Sequence, residues 1–279
     1  MEPDSLKCIW EDLEKKIRRQ CGRVPERVRQ MAPLVHLLTN YVTVNDCVNA
    51  LLAIGAKGIC SHAPQEAAQV TKGCAALVCN LGGTEYYDAM EKSAAAALEG
   101  KIPLVIDPVG CAASAFRKDM CMHLIKEFKP AAVRGNYAEI TALVNDGFSS
   151  SGLDSKASLK AEEMLDFEKR MRDFAGKYGT ILIASGAADL CCDGKTFCEI
   201  TAGTPALRRI TGAGCMSSSI LAAFLAAENS MEYALGALNF TGLCGEAAHR
   251  AALESQTGAG HFHMFFMDAL SRTDELWRR

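Results

Sequence analysis

Residues 103–136 read PLVIDPVGCAASAFRKDMCMHLIKEFKPAAVRGN, and the order of elements within them sets the fold class. A short apolar run ends at Asp107, a segment with helical period follows at 114–128, and a second apolar run occupies 131–136. Pro108 ends the first run as a strand, because proline cannot donate to a sheet ladder. A strand, a helix and a second strand in this order are typical of a parallel sheet covered by helices.

The same alternation continues on both sides of this unit. Further strands are predicted at 57–61, 75–80 and 180–186. Further helices are predicted at 45–55, 84–100 and 162–179. Asp193 and Gly194 predict the turn of a β-hairpin. From Gly212 onward the pattern is mainly helical. We therefore predict a three-layer α/β/α protein with a mostly parallel central sheet and a helical C-terminal third.

We expect a single domain over residues 1–279, with residues 1–29 as an N-terminal helical extension. The most polar stretch, NDGFSSSGLDSKAS at 145–158, is predicted to be a surface loop within that domain. A linker between two domains is the alternative. The pattern on both sides of the stretch is of the same α/β type, which favours the loop.

Composition excludes several classes of partner. The net charge is −3, and no block of five like charges occurs, so the basic surface that binds a nucleic-acid backbone is not expected. No stretch approaches the ~20 apolar residues of a membrane-spanning helix. The start of the chain has no apolar segment of the signal-peptide kind. These features predict a cytosolic protein that binds neither nucleic acid nor membrane.

Thirteen cysteines suggest a disulfide framework until their context is considered. Their number is odd, and most lie inside apolar runs, so we predict buried, reduced thiols. No CxxC pair occurs, and the remaining Cys and His spacings are not those of a zinc site, so a structural metal cluster is not expected.

Polar side chains stand at the ends of three successive predicted strands. Asp107, Arg134 and Ser185 lie at these ends, and Asn136 and Glu139 follow the second of them. In parallel sheets, ligands bind beyond the carboxyl ends of the strands. Carboxylates suit Mg²⁺ and arginine suits phosphate, so the group predicts a site for Mg²⁺ with a polyphosphate.

Each of these residues also has a purely structural interpretation. Asp107 before Pro108 is typical of a turn or cap. Asn136 and Glu139 have the spacing of a helix-capping pair. Arg134 and Glu139 could form a surface ion pair. The shared position at strand ends favours the site over these alternatives.

A glycine-rich loop opens the C-terminal helical region. The stretch ITGAGCMSSSILAAF at 210–224 places Gly212, Gly214 and Cys215 at a predicted helix N-terminus, where free amides and the helix dipole bind anions. The loop is not a Walker A motif, because it lacks the lysine. Cys215 is either a small residue filling the helix start or a thiol whose pKa the helix lowers, able to accept the proton of a substrate hydroxyl.

Together these motifs resemble the hydroxyethylthiazole kinases of the ribokinase-like superfamily. The resemblance also includes PLVHLLTNYVTVNDCVNALLAIGA at 33–56, and it covers most of residues 30–273. Cysteine at position 215 is its most specific element, since related sugar and vitamin kinases usually carry aspartate there. The resemblance implies a ribokinase-like fold and ATP-dependent phosphorylation of the primary alcohol of 4-methyl-5-(2-hydroxyethyl)thiazole in thiamine salvage.

The resemblance also implies a role for each site residue. Cys215 would be the base facing the hydroxyethyl group, and the amides of residues 212–215 would form the anion hole. The residues expected to bind the thiazole substrate are Asn40, Val42, Cys60 and Gly212. Those expected to bind ATP are Arg134 and Ser185. Those expected to hold Mg²⁺ are Asp107, Glu139 and Asn136. A homotrimer with the substrate pocket at the subunit interface is further implied.

Two departures and several alternatives accompany this interpretation. Cys60 occupies the place of a methionine that usually lines the thiazole pocket, and Ser185 replaces a more common threonine. The open alternatives are a kinase of another heteroaromatic alcohol, a dehydratase of hydrated nicotinamide cofactor, a non-catalytic nucleotide or thiazole sensor, and a thiol redox protein. Cys215 disfavours the dehydratase, the complete residue set disfavours the sensor, and the lack of a nearby resolving cysteine disfavours the redox protein.

Overall fold

The computed structural model describes residues 3–145 and 161–273, and eight strands in this part of the chain form one sheet. Their bounds are β1 Leu34–Leu38, β2 Lys57–Ile59, β3 Ala76–Asn80, β4 Leu104–Asp107, β5 Ala132–Asn136, β6 Ile181–Ser185, β7 Asp189–Cys192 and β8 Phe197–Ile200. The spatial order is β2-β1-β3-β4-β5-β6-β7-β8. All pairs from β2 to β6 are parallel, and β7 and β8 are added antiparallel. The predicted mostly parallel sheet is confirmed.

The predicted hairpin is formed by β7 and β8. Asp193 and Gly194 lie at its turn, where the Asp193 Oδ1 accepts from the amides of Lys195 and Thr196 at 2.9 and 2.7 Å. Gly194 has a φ of +90°, and an added Cβ would come within 2.7 Å of the Gly176 backbone. The position therefore requires glycine.

Helices cover both faces of the sheet. Their bounds are α1 Pro3–Cys21, α2 Val24–Met31, α3 Val44–Ala53, α4 Ala67–Lys72, α5 Tyr87–Gly100, α6 Ala115–Phe128, α7 Tyr137–Val144, α8 Ala161–Tyr178, α9 Ala213–Ala227, α10 Met231–Glu254 and α11 Ala259–Ser271. Alternate strand residues enter opposite cores: Val105 packs with α9 and α10, whereas Leu104 and Ile106 pack with α5 and α6. The three layers and the helical C-terminal third are confirmed. The loop predicted at 145–158 lies, after Asn145, outside the described residues.

The N-terminal helix α1 is packed into the core beside α10. Ile9, Leu13 and Ile17 recur at helical spacing and are buried in the same cluster as α10. Arg250 of α10 donates to Asp12, which adds a polar contact at the rim of this packing. Over the described residues, no helix has the length and apolar content to cross a membrane.

We expect Leu13→Ala to lower the free energy of unfolding by about 2 to 5 kcal/mol, because Leu13 is fully buried and a cavity would remain. Denaturant unfolding followed by circular dichroism measures this. The matched control is Lys15→Ala on the exposed face of α1, expected to change stability by less than about 0.5 kcal/mol. Equal stability of the two variants would mean that α1 is a peripheral attachment.

Candidate active site

The register of the sheet gathers the polar strand ends along one edge. Asn80 at the end of β3 is paired with Asp107 at the end of β4, and Asn136 at the end of β5 is paired with Ser185 at the end of β6. Helix α9 packs against β1, β3 and β4, and its first turn brings Cys215 to the same edge. The predicted strand-end residues are therefore brought together.

An open cleft of about 1130 Å³ lies at this edge. Sequence-predicted residues that line it are Arg134, Asn136, Ser185, Gly212 and Gly214. Its lining also contains the charged residues Asp189, Arg208 and Arg209, which the sequence patterns did not single out. Of the residues predicted to contact the organic substrate, Gly212 lines the cleft, whereas Asn40, Val42 and Cys60 lie outside its lining. The cleft therefore corresponds mainly to the predicted nucleotide side of the site.

Arg134 is a buried cation inside this cleft. Its side chain is 7% exposed, its Nη1 donates to the Gly214 carbonyl at 3.1 Å, and its Nε is buried without a hydrogen-bond partner. A buried guanidinium with an unused N–H is costly unless an anionic oxygen accepts from it. The alternative interpretation, a surface ion pair of Arg134 with Glu139, is not among the salt bridges of the described residues, although the charge of Arg134 does lower the pKa of Glu139. The unused N–H of Arg134 suits a phosphate oxygen.

Gly212 shapes the turn from which α9 begins. It has a φ of +80°, and an added Cβ would come within 2.9 Å of the Thr43 Cγ2, so both conformation and space require glycine. No side chain caps α9, and its first intrahelical bond runs from the Met216 amide to the Gly212 carbonyl. The amides before Met216 are thus available to a ligand at the positive end of the helix dipole.

Cys215 lies in the first turn of α9 with two amide groups directed at its sulphur. Its Sγ accepts from the Asn80 Nδ2 at 3.1 Å and, more weakly, from the Asn40 Nδ2 at 3.9 Å. Burial, followed by the negative charge of Asp107, raises the pKa of the thiol to about 11. The interpretation of Cys215 as a thiol with a lowered pKa is therefore not supported, because burial and the Asp107 charge raise this pKa by more than the hydrogen bonds of the thiol lower it.

Asp107 is a buried carboxyl beside a second one. Its Oδ2 accepts from the Asn80 Nδ2 at 2.9 Å and from the Ser218 Oγ at 3.0 Å. Burial, with the charge of Glu139 as the next cause, raises the pKa of Asp107 to about 7. Burial also raises the pKa of Glu139. The negative charge of Glu139 thus disfavours the charged form of Asp107, and a divalent cation would relieve this repulsion.

Glu139 is held by backbone amides. Its Oε1 accepts from the Gly110 amide at 3.0 Å, and its Oε2 accepts from the Asn136 amide at 2.9 Å. The Asn136 Oδ1 accepts in turn from the Glu139 amide at 2.9 Å, which completes a capping box at the start of α7. The capping interpretation of this pair is thus confirmed, and the cap fixes the direction of the Glu139 carboxylate.

The donor set at this edge suits Mg²⁺ better than a transition metal. Over residues 3–145 and 161–273, no group of three His, Cys, Asp or Glu side chains is arranged to hold a metal. Asp107 and Glu139 supply two carboxylates. Mg²⁺ typically binds through one or two carboxylates and takes its other ligands from water and substrate phosphate.

The end of the site predicted for the organic substrate is open. Asn40 contacts the core of the site through Cys215, and its Oδ1 accepts from the Val42 amide at 3.1 Å, which orders the turn after β1. Val42 and Tyr41 are 57% and 78% exposed, and Cys60 at the end of β2 is also exposed. These apolar groups thus lack a covering wall within the described chain.

The sequence patterns missed Asn80 and Ser218, which hold Asp107. Asn80 ends the predicted strand AALVCN as Asp107 ends its own strand, so a polar residue at a strand end was an available signal. Ser218 lies inside a run of small residues in α9 and carried no such signal.

The chain is similar to known proteins over most of its length. The model of the hydroxyethylthiazole kinase family matches residues 26–275. A hydroxyethylthiazole kinase of Ruminiclostridium cellulolyticum is 35% identical over 261 residues, which cover 92% of this chain and 94% of that protein.

Solved structures agree on the fold. That of a hydroxyethylthiazole kinase protein from Pyrococcus horikoshii has a TM-score of 0.77 and 30% identity, and it covers 91% of this chain and 94% of its own. A ribokinase-like superfamily protein of Enterococcus faecalis has a TM-score of 0.58 at 14% identity, covers 88% of this chain and 87% of its own, and shows the fold alone. The ribokinase-like fold predicted from the sequence is confirmed.

Proposed function

The chain belongs to the hydroxyethylthiazole kinase family, and from this membership we propose that it transfers the γ-phosphoryl group of ATP to the primary alcohol of 4-methyl-5-(2-hydroxyethyl)thiazole in thiamine salvage. The observation that carries the proposal is the buried Arg134 Nε, unpartnered in a cleft that also contains the start of α9. In the reaction, the alcohol oxygen bonds to the γ-phosphorus, the bond to the ADP oxygen breaks, and the hydroxyl proton leaves.

We assign the nucleotide to the cleft. Arg134 would pair with polyphosphate oxygens, and Ser185, whose Oγ donates to the Gly135 carbonyl at 3.1 Å, would contact the nucleotide from the end of β6. The amides of residues 212–215 would stabilise the charge on the transferred group. Phosphoryl transfer depends mainly on positioning and charge stabilisation, and this edge offers both.

Asp107 and Glu139 would hold Mg²⁺, with Asn136 keeping Glu139 in place through the capping box. The ion would supply positive charge at the phosphate oxygens. Ser218 donates to Asp107 and holds its carboxylate toward the edge of the sheet. These assignments rest on the burial of both carboxyl groups and on the effect of the Glu139 charge on Asp107 described above.

Cys215 would face the hydroxyethyl group and accept its proton. The pKa of the thiol is about 11 in the free protein, so only about one thiol in ten thousand is ionised at pH 7. We therefore propose that the anion hole and Arg134 carry most of the rate enhancement, and that proton transfer to Cys215 contributes a smaller factor.

We propose that Asn40, Val42 and Cys60 contact the thiazole ring and that a second subunit of a homotrimer covers them. The support is the exposure of Val42 and of its neighbour Tyr41, since exposed apolar groups beside a site are typical of an interface. A single domain over residues 1–279 is supported by the one continuous sheet. A cytosolic location rests on the thirteen free thiols.

The second candidate is a kinase of another heteroaromatic alcohol. Cys60 favours it, because cysteine is smaller than the methionine usual in the family and leaves more room around the ring. A non-catalytic sensor is disfavoured by the presence of Asp107, Arg134, Glu139 and Cys215 in one site.

Turnover of Mg-ATP with a panel of alcohols tests these candidates. Hydroxyethylthiazole, hydroxymethylpyrimidine, pyridoxal and ribose are each added, and phosphorylated product is detected by mass spectrometry. We expect the thiazole phosphate alone, and its complete loss in excess EDTA, because the carboxylates would lack their cation. Phosphorylation of hydroxymethylpyrimidine or pyridoxal supports the second candidate, phosphorylation of ribose alone contradicts both kinase candidates, and ATP binding without any product supports the sensor.

A further inference from the structure

The Asn80 side chain contacts several groups of the site, and no sequence motif indicated these contacts. Its side chain is 1% exposed at the end of β3. Its Nδ2 donates to the Asp107 Oδ2 at 2.9 Å and to the Cys215 Sγ at 3.1 Å. Its Oδ1 accepts from the Gly82 amide at 3.0 Å and from the Asn40 Nδ2 at 3.2 Å. A single amide group therefore contacts the residues proposed for the cation, the hydroxyl and the organic substrate.

The geometry of the Asn80 amide limits the distance between the Asp107 Oδ2 and the Cys215 Sγ. Both N–H bonds of Nδ2 are used, one toward a carboxylate oxygen and one toward a sulphur, so the separation of these two atoms is less than the sum of the two hydrogen-bond lengths. The Asn80 amide cannot rotate without losing all four bonds, because its oxygen is engaged by Gly82 and Asn40. The orientation of the amide is thereby determined by its own partners.

We propose that Asn80 is a positioning residue that sets the place of the Cys215 sulphur against the Asp107 carboxylate. The sulphur accepts from Asn80 at 3.1 Å and more weakly from Asn40 at 3.9 Å, so Asn80 is the nearer of these two donors. The proposal rests on the proposed kinase function for its kinetic consequence, whereas the placement of the sulphur is a property of the protein alone.

The first test needs no substrate. Asn80→Asp preserves size and the acceptor oxygen and removes both donors. At one pH, we expect iodoacetamide to modify Cys215 about tenfold more slowly in this variant than in the parent, because the thiolate loses its nearest donor and gains a neighbouring charge. Peptide mass spectrometry reads each thiol separately. Exposed Cys60 is the internal reference, and buried Cys79 must stay unmodified in a folded protein.

The second test is a double-mutant cycle on turnover. We expect Asn80→Asp and Asn80→Ala to lower kcat about 100-fold in the parent, with the KM for ATP changed less than about threefold. In the Cys215→Ala background, the same changes should cost at least tenfold less. Asn49→Asp, at an exposed position of α3, is the matched control and should leave kcat unchanged.

The outcomes separate this proposal from the proposed function. Equal losses of kcat in both backgrounds, or an unchanged Cys215 modification rate, overturn the positioning role of Asn80. Asn80→Ala adds no charge, so the double-mutant cycle with Asn80→Ala and Cys215→Ala tests the positioning role even if the Asn80→Asp variant fails to fold. A parent without thiazole kinase activity overturns the proposed function, while the modification experiment still tests the placement of the sulphur.

Discussion

Arg134→Ala is expected to weaken ATP binding by roughly 30- to 150-fold. The guanidinium is buried in the cleft with an unpartnered Nε, and two lost hydrogen bonds to charged oxygens correspond to about 2 to 3 kcal/mol. Isothermal titration calorimetry with Mg-ATP measures the effect directly. Arg134→Lys should recover part of the binding, because lysine retains the charge but not the planar fork.

The control for this prediction is Arg27→Ala, which removes an exposed arginine of α2 and should leave ATP affinity unchanged. Thermal unfolding of each variant confirms that a folded protein was titrated. Undiminished ATP affinity in a folded Arg134→Ala protein would place the nucleotide elsewhere. The unpartnered Arg134 Nε would then no longer support the proposed function.

Cys215→Ser is expected to lose about 100-fold or more in kcat, with ATP affinity nearly unchanged. A general base contributes typically 10² to 10⁴ in rate, and a hydroxyl ionises far less readily than a thiol. Cys215→Asp should retain turnover within about tenfold of the parent. Even with a pKa raised to about 7, as Asp107 has, a carboxylate is about half ionised at neutral pH.

The pH dependence of kcat tests whether the Cys215 thiolate takes part in turnover. The thiol of Cys215 has a pKa of about 11, so its thiolate fraction rises with pH through the neutral range. The parent kcat should therefore rise from pH 7 to pH 9, and that of Cys215→Asp should be flatter. Equal kcat for the parent and Cys215→Ser would exclude the base role and leave the anion hole as the catalytic device.

The sequence was sufficient for the sheet and for the polar strand ends that the sheet gathers at one edge. Apolar runs such as 103–108 and 131–136 predicted parallel strands, and parallel strands necessarily bring their carboxyl ends to one edge. Asp107 and Arg134 could therefore be placed together before any coordinates were known. The glycine requirement at Gly212 followed in the same way from its position before a helix.

Two features depended on packing and could not be predicted from the sequence. The pKa of Cys215 is set by burial and by Asp107, and neither can be evaluated until the strands are in register. The bridging position of Asn80 depends on that same register, which pairs it with Asp107. The exposure of Val42 and Cys60, at the end predicted for the organic substrate, is likewise a result of packing, and no described part of the chain covers them.

The position of α9 against β1, β3 and β4 has a consequence for synthesis on the ribosome. Val35, Val78 and Val105 belong to the core that α9, α10 and α11 complete, yet these helices are made last. The ribosome adds about 5 to 20 residues per second, so the apolar face of the nascent sheet remains only partly covered for several seconds. Until the last sixty or so residues emerge, this apolar face therefore stays partly exposed, and the glycine turn that begins α9 does not yet exist.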